Sequence, residues 1–168
     1  MILAILQHTP TWVYGLLFAL VALGVSQSFP RSVTLRRSAA LPLLLVGVSL
    51  MGVVGTFDHQ PPALLAWAAA LVATVAALHG RVDTTAVRYA PDTQRFQLPG
   101  SWVPLALMLG LFAVKFGAGV TLATRPVLRD DTGFALAASA AYGVFSGVFL
   151  GRAMALWALA RHAAPQHA

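Results

Sequence analysis

The sequence contains no cysteine and no glutamate. Without thiols it has no disulfide framework, no thiol redox chemistry and no cysteine-ligated metal. Charge of either sign is scarce. Eleven Lys and Arg and five acidic residues make up 10% of 168 positions, whereas soluble domains carry roughly a quarter. Residues of hydrophobic type make up 58%. The polar surface needed to cover a soluble globule is missing, so lipid is the solvent expected for much of the chain. The net charge of +6 raises the question of nucleic acid. The arginines, however, stand between apolar runs, where membrane proteins keep their topogenic charges. No basic and aromatic module accompanies them, and nucleic acid is not an expected partner.

The charges cut the chain into five apolar blocks: 11–27, 38–57, 62–79, 101–124 and 132–160. A spanning helix needs roughly 17–25 mostly apolar residues. Prolines near several starts (Pro10, Pro61 and Pro62) suit the first turn of a helix. The alanine-rich third block is the weakest of the five. Met1–Pro10 lacks the basic start of a signal peptide, and the basic cluster follows the first block, so that block reads as a retained helix. Connections alternate in charge. Arg31, Arg36 and Arg37 precede the second block, Arg81, Arg88 and Arg95 precede the fourth, and Arg161 lies in the tail. The opposite side holds only Arg125 and Arg129. Seven against two predicts the N-terminus outside and the C-terminus cytoplasmic.

The expected fold is therefore an all-α integral membrane protein. It is a single membrane domain of five transmembrane helices, with a short cytoplasmic β-hairpin between the third and fourth. The hairpin is expected within 80–100. There Val82–Tyr89 is β-branched and partly alternating, Pro91-Asp92-Thr93-Gln94 has turn chemistry, and Arg95–Leu98 alternates again. A lone hairpin is marginal in water, so it should lean on helix ends or lipid.

Two features break the apolar monotony. In the fifth block Ala135, Ser139, Gly143, Gly147, Gly151 and Ala155 recur every four residues on one helix face. Such a face lets backbones approach closely in lipid, either inside one bundle or between copies. Lys115 stands inside the fourth block, nine residues before Thr124, or roughly 13 Å from the outer end. A charge at that depth is costly and marks a functional-site hypothesis. Helical side chains tilt toward the N-terminus, which for Lys115 points away from the nearer surface and opposes snorkelling. The sequence thus suggests a buried polar layer of Lys115, Ser49 and Tyr142, reached by Asp58 from the outer end.

The remaining charged groups read more plainly. Arg31, Arg36, Arg37 and Arg152 are membrane-interface charges, with anionic-lipid contact expected. Asp130-Asp131-Thr132 is an N-cap with negative charge at the positive end of the helix dipole. His8 and His59 fall on the outer side, and His79, His162 and His167 on the inner. No pair has metal-ligand spacing, so neither metal nor cofactor is expected. No nucleophile elbow, P-loop or dinucleotide motif is present.

Several stretches carry a likeness to a known group. These are Met1–Trp12, Ser26-Gln27, Leu98-Pro99-Gly100-Ser101-Trp102-Val103-Pro104-Leu105, Phe112–Phe116 and Ser146-Gly147-Val148-Phe149-Leu150-Gly151-Arg152. Across nearly its whole length the chain resembles small bacterial inner-membrane proteins grouped under a domain of unknown function. Its layout is also loosely similar to CcdC-like membrane proteins, named for cytochrome c biogenesis. The first resemblance implies an inner-membrane location and no particular activity. With no cluster of acids, bases or ligands, an enzyme is not expected. The first expectation is a protein acting through helix packing, as a homo-oligomer or an accessory subunit. The alternative is a small transporter or channel with Lys115 in the pathway.

Overall fold

The structure, a computed structural model, describes residues 10–90, 93 and 95–163. Among the described residues five α-helices follow the apolar blocks closely: α1 Thr11–Gln27, α2 Leu35–Phe57, α3 Pro61–Leu78, α4 Val103–Thr124 and α5 Thr132–Ala163. Their starts have local causes. Thr34 caps α2, its hydroxyl accepting from the Arg37 N–H at 3.4 Å, so α2 opens three residues before Ser38. Prolines occupy the first turns of α3 and α4, where no N–H is required. Asp131 accepts from the Phe134 N–H at 2.6 Å, the N-cap bond expected from the Asp130-Asp131-Thr132 run.

Four of the helices, α2 to α5, are long and apolar enough to cross a membrane. α1 is apolar but falls short of that group. Its 17 residues rise about 25 Å, against a hydrocarbon core of roughly 30 Å. Large apolar side chains face outward, Phe18, Met51 and Leu65 among them. A surface this apolar suits lipid rather than water.

The short β structure differs from a hairpin. β1 (Arg31–Thr34), β2 (Arg88–Ala90) and β3 (Arg95–Leu98) form an antiparallel sheet in the order β1-β3-β2. Arg31 pairs with Leu98 and Thr34 with Arg95, while Arg88 pairs with Gln97. A third strand from the first connection thus completes the hairpin, relieving the marginal stability of two strands alone. β2 is also shorter than Val82–Tyr89. Asp83 accepts from the N–H and hydroxyl of Thr85 at 2.9 and 2.6 Å, which folds this stretch into a turn. Of the expected turn Pro91-Asp92-Thr93-Gln94, all but Thr93 lies outside the described residues. The sheet's inner face buries Phe96 completely, and the Tyr89 ring packs beside it, tilted by 45° with centroids 4.9 Å apart.

The sheet joins the first and third connections at one end of the bundle. At the other end the second and fourth connections meet, where Gln60 Nε2 donates to the Arg129 carbonyl at 2.6 Å. The helices therefore alternate in direction. α5 is central, packed against α3, α2 and α4, and α1 lies against α4. The core between them includes Val53, Phe57, Met108, Leu111, Leu122, Ala135, Tyr142 and Phe149.

Candidate functional site

The small face of α5 is filled by α3. A Cβ on Gly143 would overlap the Trp67 carbonyl oxygen. One on Gly147 would lie 2.6 Å from Thr74 Cβ and 2.7 Å from the Leu71 oxygen, and one on Gly151 3.3 Å from Leu78 Cδ1. Ser139 continues the same face and is fully buried. The spacing of four thus serves close approach of α3 and α5 within the chain.

Above this seam lies a polar group of three residues. The Ser49 hydroxyl donates to the Tyr142 carbonyl at 3.3 Å and accepts from Trp67 Nε1 at 3.0 Å. Ser49 and Tyr142 are both buried, and they meet through the Tyr142 backbone carbonyl, not its phenol. Sequence reasoning missed Trp67, whose partly buried indole N–H needs an acceptor.

Lys115 meets this group only at its edge. It is exposed on α4, not buried. A Cβ on Gly52 would lie 3.3 Å from Lys115 Nζ, 3.8 Å from its Cε and 4.0 Å from Tyr142 Cε2. The lysine therefore lays its ammonium over a notch left by glycine on α2, one turn beyond Ser49. Asp58 is not part of this cluster. It caps the end of α2, and its carboxylate accepts from the His59 N–H at 2.9 Å.

Beyond the notch a groove of about 380 Å³ runs to the end of the bundle between α2 and α4. It is lined by Gly55, Thr56, Asp58, His59, Gly119, Leu122, Ala123 and Arg129. Gly55 and Gly119 present open space where a Cβ would stand. Lys115 and Gly119 are four residues apart on α4, and Gly52 and Gly55 three apart on α2. Each pair shares a helix face, so the notch continues the groove inward.

The groove's mouth is held by His59. Its Nδ1 lies 3.2 Å from Asp58 Oδ1 and its Nε2 3.3 Å from Asp130 Oδ1. The hydrogen bond to Asp58 is the main influence raising the His59 pKa above its ordinary 6.5. The same bond holds the Asp58 carboxyl below its ordinary 3.8. Sequence reasoning placed these groups on one side but not together, because Asp58 and Asp130 are 72 positions apart.

At the sheet end, Arg31 donates from Nη2 to Gln27 Oε1 at 2.8 Å. Arg36 and Arg37 are exposed, and Arg152 is partly buried on α5. His8 and His167 lie outside the described residues. Among the described residues no three His or Asp side chains are grouped to hold a metal ion.

The chain belongs to a family of unknown function (DUF6622), whose profile matches residues 1–167. No curated protein and no solved structure matches it.

Proposed function

We propose that this family member is a multi-pass membrane protein, not an enzyme, whose α2–α4 groove holds an anionic ligand against Lys115. The observation that carries the reading is the state of that lysine. Its ammonium stands over Gly52, and among the described residues no carboxylate lies within 4.0 Å of it. A lysine at the centre of a membrane helix costs about 3 kcal/mol or more. Without an internal counter-ion, that cost is offset by rising along the groove to a ligand's negative charge. Alternation of helix direction and the seven-to-two arginine bias support the N-terminus outside, the C-terminus cytoplasmic and the groove opening outward. An inner-membrane location agrees with both. Transport of the bound anion is the activity such a site would serve.

The test is equilibrium titration of the purified chain in detergent with carboxylate, phosphate and phospholipid anions. Lys115→Gln should lose affinity about tenfold, as expected for one charge-assisted contact, while Lys115→Arg should retain most of it. Equal binding by the wild type and Lys115→Gln would overturn the reading.

An oligomer or accessory subunit acting through helix packing is a separate reading. Because α3 fills the small face of α5, such a partner would have to dock on another surface, such as the apolar outer side of α1 around Phe18.

A further inference from the structure

We infer that the anion held in the α2–α4 groove is the phosphate of a membrane phospholipid, clamped by Lys115 from the inner side and Arg129 from the outer. This rests on the preceding reading that Lys115 holds an anion, and it names the ligand.

Depth is the first argument. The Lys115 backbone lies nine residues before the end of α4, about 13 Å along the helix. Its Nζ stands at the level of Gly52, five residues from the end of α2, or about 8 Å. The side chain thus climbs toward the interface, where lipid phosphates lie, against the natural tilt of helical side chains. Glycine at 52 leaves room for the ammonium, which would lie 3.3 Å from a Cβ there.

Access is the second. Gly55, Gly119 and Ala123 are exposed, so the groove is open sideways along the apolar outer surface. A lipid can slide in from the bilayer with its acyl chains still in hydrocarbon. A free anion from water would instead enter at the mouth, past Asp58 and Asp130 on either side of His59, with no acyl chain to hold it in the groove.

Charge complementarity is the third. Arg129 lines the outer part of the groove, and its carbonyl is fixed by Gln60. Among the described residues its guanidinium pairs with no carboxylate. A phosphodiester offers two free oxygens, one for the guanidinium and one for the ammonium, and guanidinium suits phosphate geometry well.

Native mass spectrometry of the full chain released from detergent tests this. The probes are dimyristoyl phosphatidylglycerol, dimyristoyl phosphatidylethanolamine, dimyristoyl glycerol (which lacks the phosphate) and inorganic phosphate. Both phospholipids should be retained and dimyristoyl glycerol should not. Lys115→Gln and Arg129→Gln should each lower phospholipid retention about tenfold. Arg129 is exposed in a connection, so its variant tests the clamp without disturbing the bundle. Retention of dimyristoyl glycerol equal to the phospholipids would overturn the inference. So would Lys115-dependent binding of inorganic phosphate that phospholipids do not displace, which would leave the anion reading intact. No Lys115-dependent binding of any anion would remove both.

Discussion

The indole Nε1 of Trp67 on α3 donates to the hydroxyl of Ser49 on α2 at 3.0 Å, and that hydroxyl donates onward to the Tyr142 carbonyl of α5. One small side chain therefore links three helices. In the low-dielectric interior each of these groups would be costly unpaired.

Ser49→Ala should leave the Trp67 N–H without its acceptor and lower stability by about 1–2 kcal/mol. Trp67→Phe should cost less once Ser49 is already Ala. A double-mutant cycle on thermal unfolding in detergent measures the coupling, expected at about 0.6 kcal/mol or more. Additive effects would mean that the bond contributes nothing.

The glycines of α5 and Gly47 on α2 should respond in opposite ways to alanine. Gly143→Ala and Gly147→Ala drive a methyl into the α3 backbone or Thr74, an overpacking cost of about 1–3 kcal/mol. At Gly47 a Cβ meets nothing within 4 Å, so Gly47→Ala should be neutral or stabilising by up to about 1 kcal/mol. Melting temperatures of the three variants decide it. Similar losses at all three positions would contradict the assignment of the α5 face to α3.

His59 predicts a pH window. Its raised pKa means that its contribution is fully present below its ordinary 6.5 and is lost as pH rises through the higher folded value. Asp58, held low, contributes above its ordinary 3.8 and loses that contribution as pH falls through the lower folded value. The tie between the second and fourth connections is thus complete between pH 3.8 and 6.5. Raising pH beyond this range should lower the protection factors (exchange rates corrected for the intrinsic base-catalysed rise) of the amides near His59 and Arg129. His59→Gln should remove that change in protection. Wild-type protection factors that stay constant from pH 6 to 9 would count against the bridge.

Lys115→Leu separates two roles. A lysine buried in a polar layer would leave Ser49 and Tyr142 poorly satisfied when replaced. Here Lys115 is exposed, and the Ser49 hydroxyl is satisfied by the Trp67 indole and the Tyr142 carbonyl. Melting in detergent should therefore shift little, within about 0.5 kcal/mol as for other surface substitutions, while anion binding is lost.

The helices were legible because prolines and arginines bracket each apolar run, and the alternating charge of the connections agrees with the alternating helix direction. β1 was not legible. Arg31–Thr34 is four residues long, and its partner, Arg95–Leu98, lies 64 positions away. Nothing local distinguishes it from a topogenic cluster. The depth agreement of Ser49 and Tyr142 could be counted along the helices, but the exposure of Lys115 could not. That exposure depends on which face of α4 turns toward α2, and the charge-poor helix carries only a faint facial pattern. The groove depends on glycines 52, 55 and 119, whose meaning appears only when two helices are set side by side.

Lys115 is the sole lysine of the chain, which offers the most direct test of the central claim. Reductive ¹³C-methylation keeps its charge and gives one side-chain NMR signal besides that of the N-terminal amine. Titration with phosphatidylglycerol in detergent should shift that signal saturably, and the shift should be weaker in Arg129→Gln. A Lys115 signal that stays in place while the phospholipid binds elsewhere would contradict the account.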